Sequence, residues 1–228
     1  GLRLGDSLPL DLASLYDRIV VRKRGGYCFE QNGLLYEVLD ELGFKVTLQM
    51  ARVLLNQDVH PGLTHRMTLV DIDGGRHIVD VGFGAMGPRL PVNISKGLTP
   101  PADHPYWVQE TRPGELCLHT MKDGAPWMLY RFELVRYGPM DCELGHFWSH
   151  KHPKANFVNN LIAARKLDGE IHSLRNRDYW ILRPSGDEPH VVADAWDLKR
   201  ILTDAFGFNV TDAECAKLFA EMPVPVTA

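Results

Sequence analysis

At 228 residues, 45% hydrophobic and 24% charged, the chain can bury a sizeable core, as one large domain or two to three small ones. A formal net charge of -4 argues against a general nucleic-acid or anionic-membrane binder. No apolar run approaches the roughly 18 residues needed to span a bilayer, and the N-terminus has no basic region followed by an apolar stretch and a cleavage site.

Along the chain, Leu12, Leu15, Tyr16, Ile19 and Val20 recur at helical spacing between Asp11 and about Val21. The basic run Arg22-Lys23-Arg24 reads either as a solvated turn or as a receiver of an anionic substrate part. After Gly25-Gly26, a second helix is predicted from Cys28 to Leu42. Its apolar face is Leu34, Leu35, Val38, Leu39 and Leu42, and Gly43 follows as its C-cap. Beyond Gly43 the period shortens. Phe44 to Leu54 and Arg66 to Phe83 read as strands, with Asp73-Gly74 as a two-residue hairpin turn.

Shorter strands are expected around Tyr106–Gln109 and Leu116–Thr120, with a better one over Trp127–Val135 and a break at Tyr137-Gly138-Pro139. Phe147 to Pro153 reads as an aromatic- and histidine-rich loop. Further strands are expected between Val158 and Val192, turning at Asp168-Gly169. Trp196–Phe206 and Ala213–Met222 read as helices. Thr211 and Glu214 form a capping box at the start of the last one.

Cys28 therefore follows a glycine turn and heads a helix. A helix start leaves several N–H groups without intrahelical acceptors and carries partial positive charge, so it favours a thiolate. The Cys28 N–H itself is placed to stabilise a developing oxyanion. With Asp73-Gly74 as the hairpin loop, Ile72 faces Gly75 and Met67 faces Asp80. His65 then shares a face with Asp80, diagonal to it. Asp80 interrupts the apolar run Ile78-Val79-Asp80-Val81 and is costly to bury without partners. Cys28 as nucleophile, His65 as base and Asp80 as orienting group explain all three positions together. His60, His77, His104, His119, His146, His150 and His152 are the competing histidines. Cys117, Cys142 and Cys215 form no CxxC pair with Cys28 or each other. No metal site or disulfide framework is expected, and a reducing cytoplasm is the expected location.

The stretch Arg24-Gly25-Gly26-Tyr27-Cys28-Phe29-Glu30-Gln31-Asn32 resembles the arylamine N-acetyltransferase family. So do Gly43-Phe44, Ala51-Arg52-Val53, Thr64-His65, Val79-Asp80-Val81-Gly82-Phe83-Gly84 and His152-Pro153, nearly end to end. The resemblance implies an α+β fold of three regions around a cysteine-protease-like Cys-His-Asp core. These are a helical region at 1–43, expected to be incomplete on its N-terminal side, an antiparallel β-barrel at 44–149, and an α/β lid at 150–228. It implies a Cys28–His65–Asp80 triad and acetyl-CoA as cosubstrate with no tightly bound cofactor. Acceptors would be arylamines, arylhydrazines or N-hydroxyarylamines, with neither nucleic acid nor membrane as partner. Val53 and Phe83 match positions lining the acceptor pocket, and Gly84 is expected to offer its backbone to the coenzyme. The segment Phe147–Pro153 departs from the family's usual hydroxyl-rich pattern. A related cysteine acyltransferase or amide synthase, a transglutaminase-like hydrolase and a noncatalytic ligand-binding homologue are the alternatives.

Overall fold

The helix predicted after Pro9 begins as α1 (Leu12–Tyr16), where the Asp11 carboxylate accepts the Ser14 N–H, and continues through a π-helical segment, Asp17–Val21. Gly25 then takes a left-handed φ of 68°, which glycine adopts without steric cost, and α2 (Cys28–Glu41) follows. The structure is a computed structural model that describes residues 1–95 and 105–223. The chain divides into two compact units, Tyr27–Trp148 and Gly1–Gly26 together with Ser149–Ala228.

In the unit Tyr27–Trp148, α2 leads into β1 (Lys45–Val53), β2 (His65–Ile72), β3 (Gly75–Val79), β4 (Val92–Asn93), β5 (Tyr106–Arg112), β6 (Glu115–Lys122) and β7 (Ala125–Glu133). Asp73 and Gly74 both have positive φ, as a two-residue hairpin requires, and Ile72 faces Gly75 as expected. Asp123 and Gly124 repeat the device between β6 and β7. Neighbouring strands pair antiparallel in the order β4-β3-β2-β1-β7-β6-β5. The two edges, β4 and β5, approach each other, so the sheet nearly closes into a barrel. Val92 of β4 and Tyr106 of β5 share one buried cluster with Met67, Ile78 and Leu129. β2 is buried from His65 through Val70, because α2 packs on one face while the other fills the barrel.

Two expectations need correction. The apolar positions of α2 are not its buried face: Val38 and Leu42 are exposed, while Cys28, Phe29, Glu30, Asn32 and Gly33 are buried. Nor is Phe147–Pro153 a loop from its start, since Phe147 to Lys151 belong to α3 (Pro139–Lys151). Pro139 takes the first helical position, where its missing N–H costs nothing, and the Asp141 carboxylate accepts the Gly138 N–H at 2.8 Å. The buried side of α3 is small and polar. A Cβ on Gly145 would stand 2.5 Å from the Leu63 carbonyl oxygen and 2.8 Å from Phe29.

In the other unit, α4 (Asn156–Asn159) precedes β8 (Ile162–Leu167), β9 (Glu170–Arg175), β10 (Asp178–Leu182) and β11 (Glu188–Val191). They form an antiparallel sheet ordered β11-β10-β9-β8. α5 (Ala195–Arg200), a π-helical segment over Ile201–Ala205 and α6 (Asp212–Ala220) complete it, with Leu174 and Tyr179 buried against Leu198, Ile201 and Leu218. The predicted capping box holds: Thr211 Oγ1 accepts the Glu214 N–H and the Glu214 carboxylate accepts the Thr211 N–H. Glu214 also binds Arg24 at 2.5 Å, and Arg24 donates to the Asn209 carbonyl at 2.6 Å.

Candidate active site

Cys28, His65 and Asp80 all lie within the unit Tyr27–Trp148. Cys28 is the first residue of α2, buried, with its thiol directed at the Thr64 carbonyl at 3.8 Å. The helix start is held by Glu30, whose carboxylate accepts the Tyr27 N–H at 3.1 Å. Tyr27 is in turn fixed by a hydrogen bond between its hydroxyl and His146 Nδ1, a residue of α3.

His65 opens β2, next to the carbonyl that Cys28 meets. The β2–β3 register runs from Ile72–Gly75 to Thr68–Val79, which leaves Asp80 at the end of β3 on the face of His65. Their side chains meet diagonally, His65 Nε2 lying 2.8 Å from Asp80 Oδ2. The Cys28 thiol lies close enough to the same imidazole to favour its charged form. Because Nε2 is engaged by Asp80, Nδ1 is the nitrogen left for Cys28. Asp80 Oδ1 accepts from Asn32 Nδ2 and from the Gly82 N–H, each at 2.9 Å.

The electrostatics follow from these contacts. Burial opposes a charged imidazolium, yet the Asp80 charge and hydrogen bond, with Cys28, outweigh it and push His65 up to about 10. Burial likewise opposes the Asp80 carboxylate, and His65, Asn32 and the Gly82 N–H hold it below the ordinary value. Fully buried Tyr130, on β7, has its hydroxyl pushed well up, first by burial and then by Asp80.

Phe83 is half-buried and meets the His65 ring edge-on, with centroids 5.1 Å apart. Tyr130 completes an aromatic cluster, 4.9 Å from His65 and 5.1 Å from Phe83. Val53 pairs with Tyr130 across β1 and β7. Gly84 takes a left-handed φ of 91° and its carbonyl accepts the Gly87 N–H at 3.1 Å. Of the competing histidines, His146 binds Tyr27, His77 binds Asn93 and His119 donates to the Cys117 carbonyl. His104 lies outside the described residues.

Asn32 and Tyr130 are the site residues that the sequence does not single out. Asn32 stands inside the Cys28 motif, visible as a residue but without a role, whereas Gly82 beside Phe83 reads as a place where backbone can approach a ligand. A Cβ on Gly82 would lie 2.5 Å from the Cys28 Cα, 3.1 Å from its Cβ and 2.8 Å from Asn32 Nδ2. That glycine lets the turn after β3 close onto the cysteine. Tyr130 gave no signal, being one aromatic among several in a strand. Among the described residues no His, Cys, Asp and Glu cluster is arranged to hold a metal, and no helix is long and apolar enough to cross a membrane.

Comparison with known proteins bears on this geometry. A family model described as N-acetyltransferase matches residues 2–215. The chain is 36% identical over 217 residues to the arylamine N-acetyltransferase of Mycobacterium tuberculosis, covering 93% of this chain and 76% of that protein. It is 34% identical over 221 residues to the Escherichia coli arylamine N-acetyltransferase, covering 91% and 75%. Among solved structures, Mycobacterium marinum arylamine N-acetyltransferase in complex with CoA matches with a TM-score of 0.90 and 34% identity, over 96% of this chain and 84% of that one.

Proposed function

This chain belongs to the arylamine N-acetyltransferase family, and on that premise we propose that Cys28, His65 and Asp80 carry an acetyl group from acetyl-CoA to an aromatic amine. The observation that supports this most is the buried His65–Asp80 pair at 2.8 Å beside buried Cys28, which heads α2 with its thiol at the carbonyl of Thr64, the residue before His65. Asp80 accepts a hydrogen bond from Nε2–H and holds that proton on the ring, so Nδ1 takes the thiol proton. The Cys28 sulfur attacks the thioester carbonyl, with its own N–H among the helix-start donors available to the oxyanion. The acetyl–sulfur bond to coenzyme A breaks, and the leaving thiolate takes the proton from His65.

An arylamine, arylhydrazine or N-hydroxyarylamine then attacks acetyl-Cys28. Its N–H proton passes through His65 to the departing cysteine sulfur, and the free enzyme returns. A thioester suits this carrier role because the acyl group stays activated between the two steps. Water competes for it, so the aromatic cluster of Phe83 and Tyr130 beside His65 matters chemically. Phe83 and Val53 line the acceptor side in this reading. Gly84, whose left-handed φ leaves no side chain in the way, offers its backbone to the coenzyme in this reading. Acetyl-CoA is a cosubstrate that comes and goes with each turnover.

Within the same reading the chain is divided by role into a nucleophile-bearing region (1–43), a barrel (44–149) and a lid (150–228). Helix α2 ends at Glu41 before β1 begins at Lys45, and α3 ends at Lys151. All four cysteines are free and buried, which supports a reducing, cytoplasmic setting. The test is initial-rate kinetics with acetyl-CoA and an arylamine varied together. Parallel double-reciprocal lines are expected of the two-step transfer. Intersecting lines, or turnover surviving in Cys28→Ala, contradict it.

A further inference from the structure

Asn32 lies four residues after Cys28 on α2 and is fully buried. A primary amide brings two donor hydrogens and an acceptor oxygen, each costly to bury unused. Here Nδ2 donates to the Arg66 carbonyl at 2.6 Å and to Asp80 Oδ1 at 2.9 Å, while Oδ1 accepts the Val81 N–H at 2.9 Å. One side chain thus ties the helix of Cys28 to β2 and to the turn after β3. It also divides the labour of the Asp80 carboxylate: Oδ1 is taken by Asn32 and the Gly82 N–H, which leaves Oδ2 for His65. The missing Cβ of Gly82 makes the room, since a Cβ there would stand 2.8 Å from Asn32 Nδ2.

We propose that Asn32 is a positioning residue for the transfer reaction, holding Asp80 in the rotamer that presents Oδ2 to His65 and so fixing which imidazole nitrogen faces Cys28. The inference rests on the triad reading given above. The groups facing Asp80 are His65 from β2, the Tyr130 hydroxyl from β7 and Asn32 from α2; those facing His65 are Asp80, Cys28 and Tyr130. Asn32 alone among them never titrates. Removing its amide therefore takes a hydrogen bond from the Asp80 carboxylate without altering the charge count. Asp80 then protonates at higher pH, and the acid side of any His65-dependent step moves with it.

The experiment measures alkylation of Cys28 by iodoacetamide against pH, with the modified residue identified by peptide mass. It uses the full chain, Asn32→Ala, Asp80→Asn and the double variant, with each melting temperature recorded. The acid limb is expected to move up by about one pH unit in Asn32→Ala, the size of a hydrogen bond to a charged group. In the Asp80→Asn background the same substitution should change the profile little, because the two residues act as a unit. An Asn32→Ala profile that superimposes on the original, whatever its melting temperature, overturns the proposal, and so do fully additive effects. If Asp80→Asn also leaves the profile unmoved, the triad reading itself has failed. If only Asn32→Ala is silent, the failure is confined to Asn32. Asn32→Ser, whose shorter hydroxyl cannot reach all three partners, supplies the same comparison should the alanine variant not fold.

Discussion

Gly82→Ala adds a single methyl group at the place where the turn after β3 rests on the nucleophile. The new Cβ would stand 2.5 Å from the Cys28 Cα, about 0.9 Å inside ordinary van der Waals contact, and 2.8 Å from Asn32 Nδ2. Neither neighbour is the far end of a flexible chain: one is helix backbone, the other an amide held by three hydrogen bonds. Gly82 is not among the residues with positive φ, so the effect is steric and not conformational. Overpacking of this kind costs about 1–3 kcal/mol. In a chain of this size that is a fall in Tm of about 2–12 °C. If α2 yields, Cys28 moves by most of an ångström relative to His65, and a shift of that size lowers the chemical rate by roughly 100-fold. Thermal unfolding and the rate of Cys28 acetylation in a single turnover read the two costs separately. Gly62→Ala is the control, because its Cβ would meet only Thr64 Cγ2 at 3.8 Å. It should stay within about 0.5 kcal/mol of the original. A Gly82→Ala enzyme indistinguishable from Gly62→Ala in both measurements would refute the claim that this contact sets the position of Cys28.

Phe83→Ala removes the ring that meets His65 edge-on; the acceptor KM, or the ratio of hydrolysis to amine transfer, should rise, and steady-state assays with and without amine read both. Glu214 is held down to about 2, chiefly by its hydrogen bond to Arg24. A depressed carboxylate contributes stability that is present above its ordinary value near 4.5 and is lost as pH falls toward 2. Glu214→Gln should therefore flatten the pH dependence of unfolding in that window, as denaturation at pH 2–5 would show. Thr211→Ala, which deletes the cap of α6, should lower stability by about 1 kcal/mol with little change in Cys28 acetylation.

What could be read in sequence was set by how local the cause is. The Asp73-Gly74 turn dictates its own register, and that register alone brought Asp80 to the face of His65. Thr211 and Glu214 are three residues apart and cap each other without help from elsewhere. Helix α3 was misread in part because its amphipathicity is inverted: Cys142, Gly145, His146 and Ser149 face inward, while Met140, Leu144, Phe147 and Trp148 are exposed. Periodicity finds apolar stripes, and here the buried stripe is small and polar. The same inversion hid the inner face of α2, where Asn32 and Gly33 are buried and Val38 is not. Asn32 and Tyr130 depend on strands distant in sequence, so no local spacing announced them.

The chemistry turns on whether Cys28 carries the acyl group. Mixing the protein with acetyl-CoA, removing the excess, and recording intact and peptide masses before and after addition of an arylamine tests this directly. An adduct of about 42 Da on Cys28 should form and then vanish on amine addition, with one equivalent of acetylated amine released. No adduct, an adduct on another residue, or an acetyl-Cys28 that the amine leaves in place would contradict the transfer mechanism.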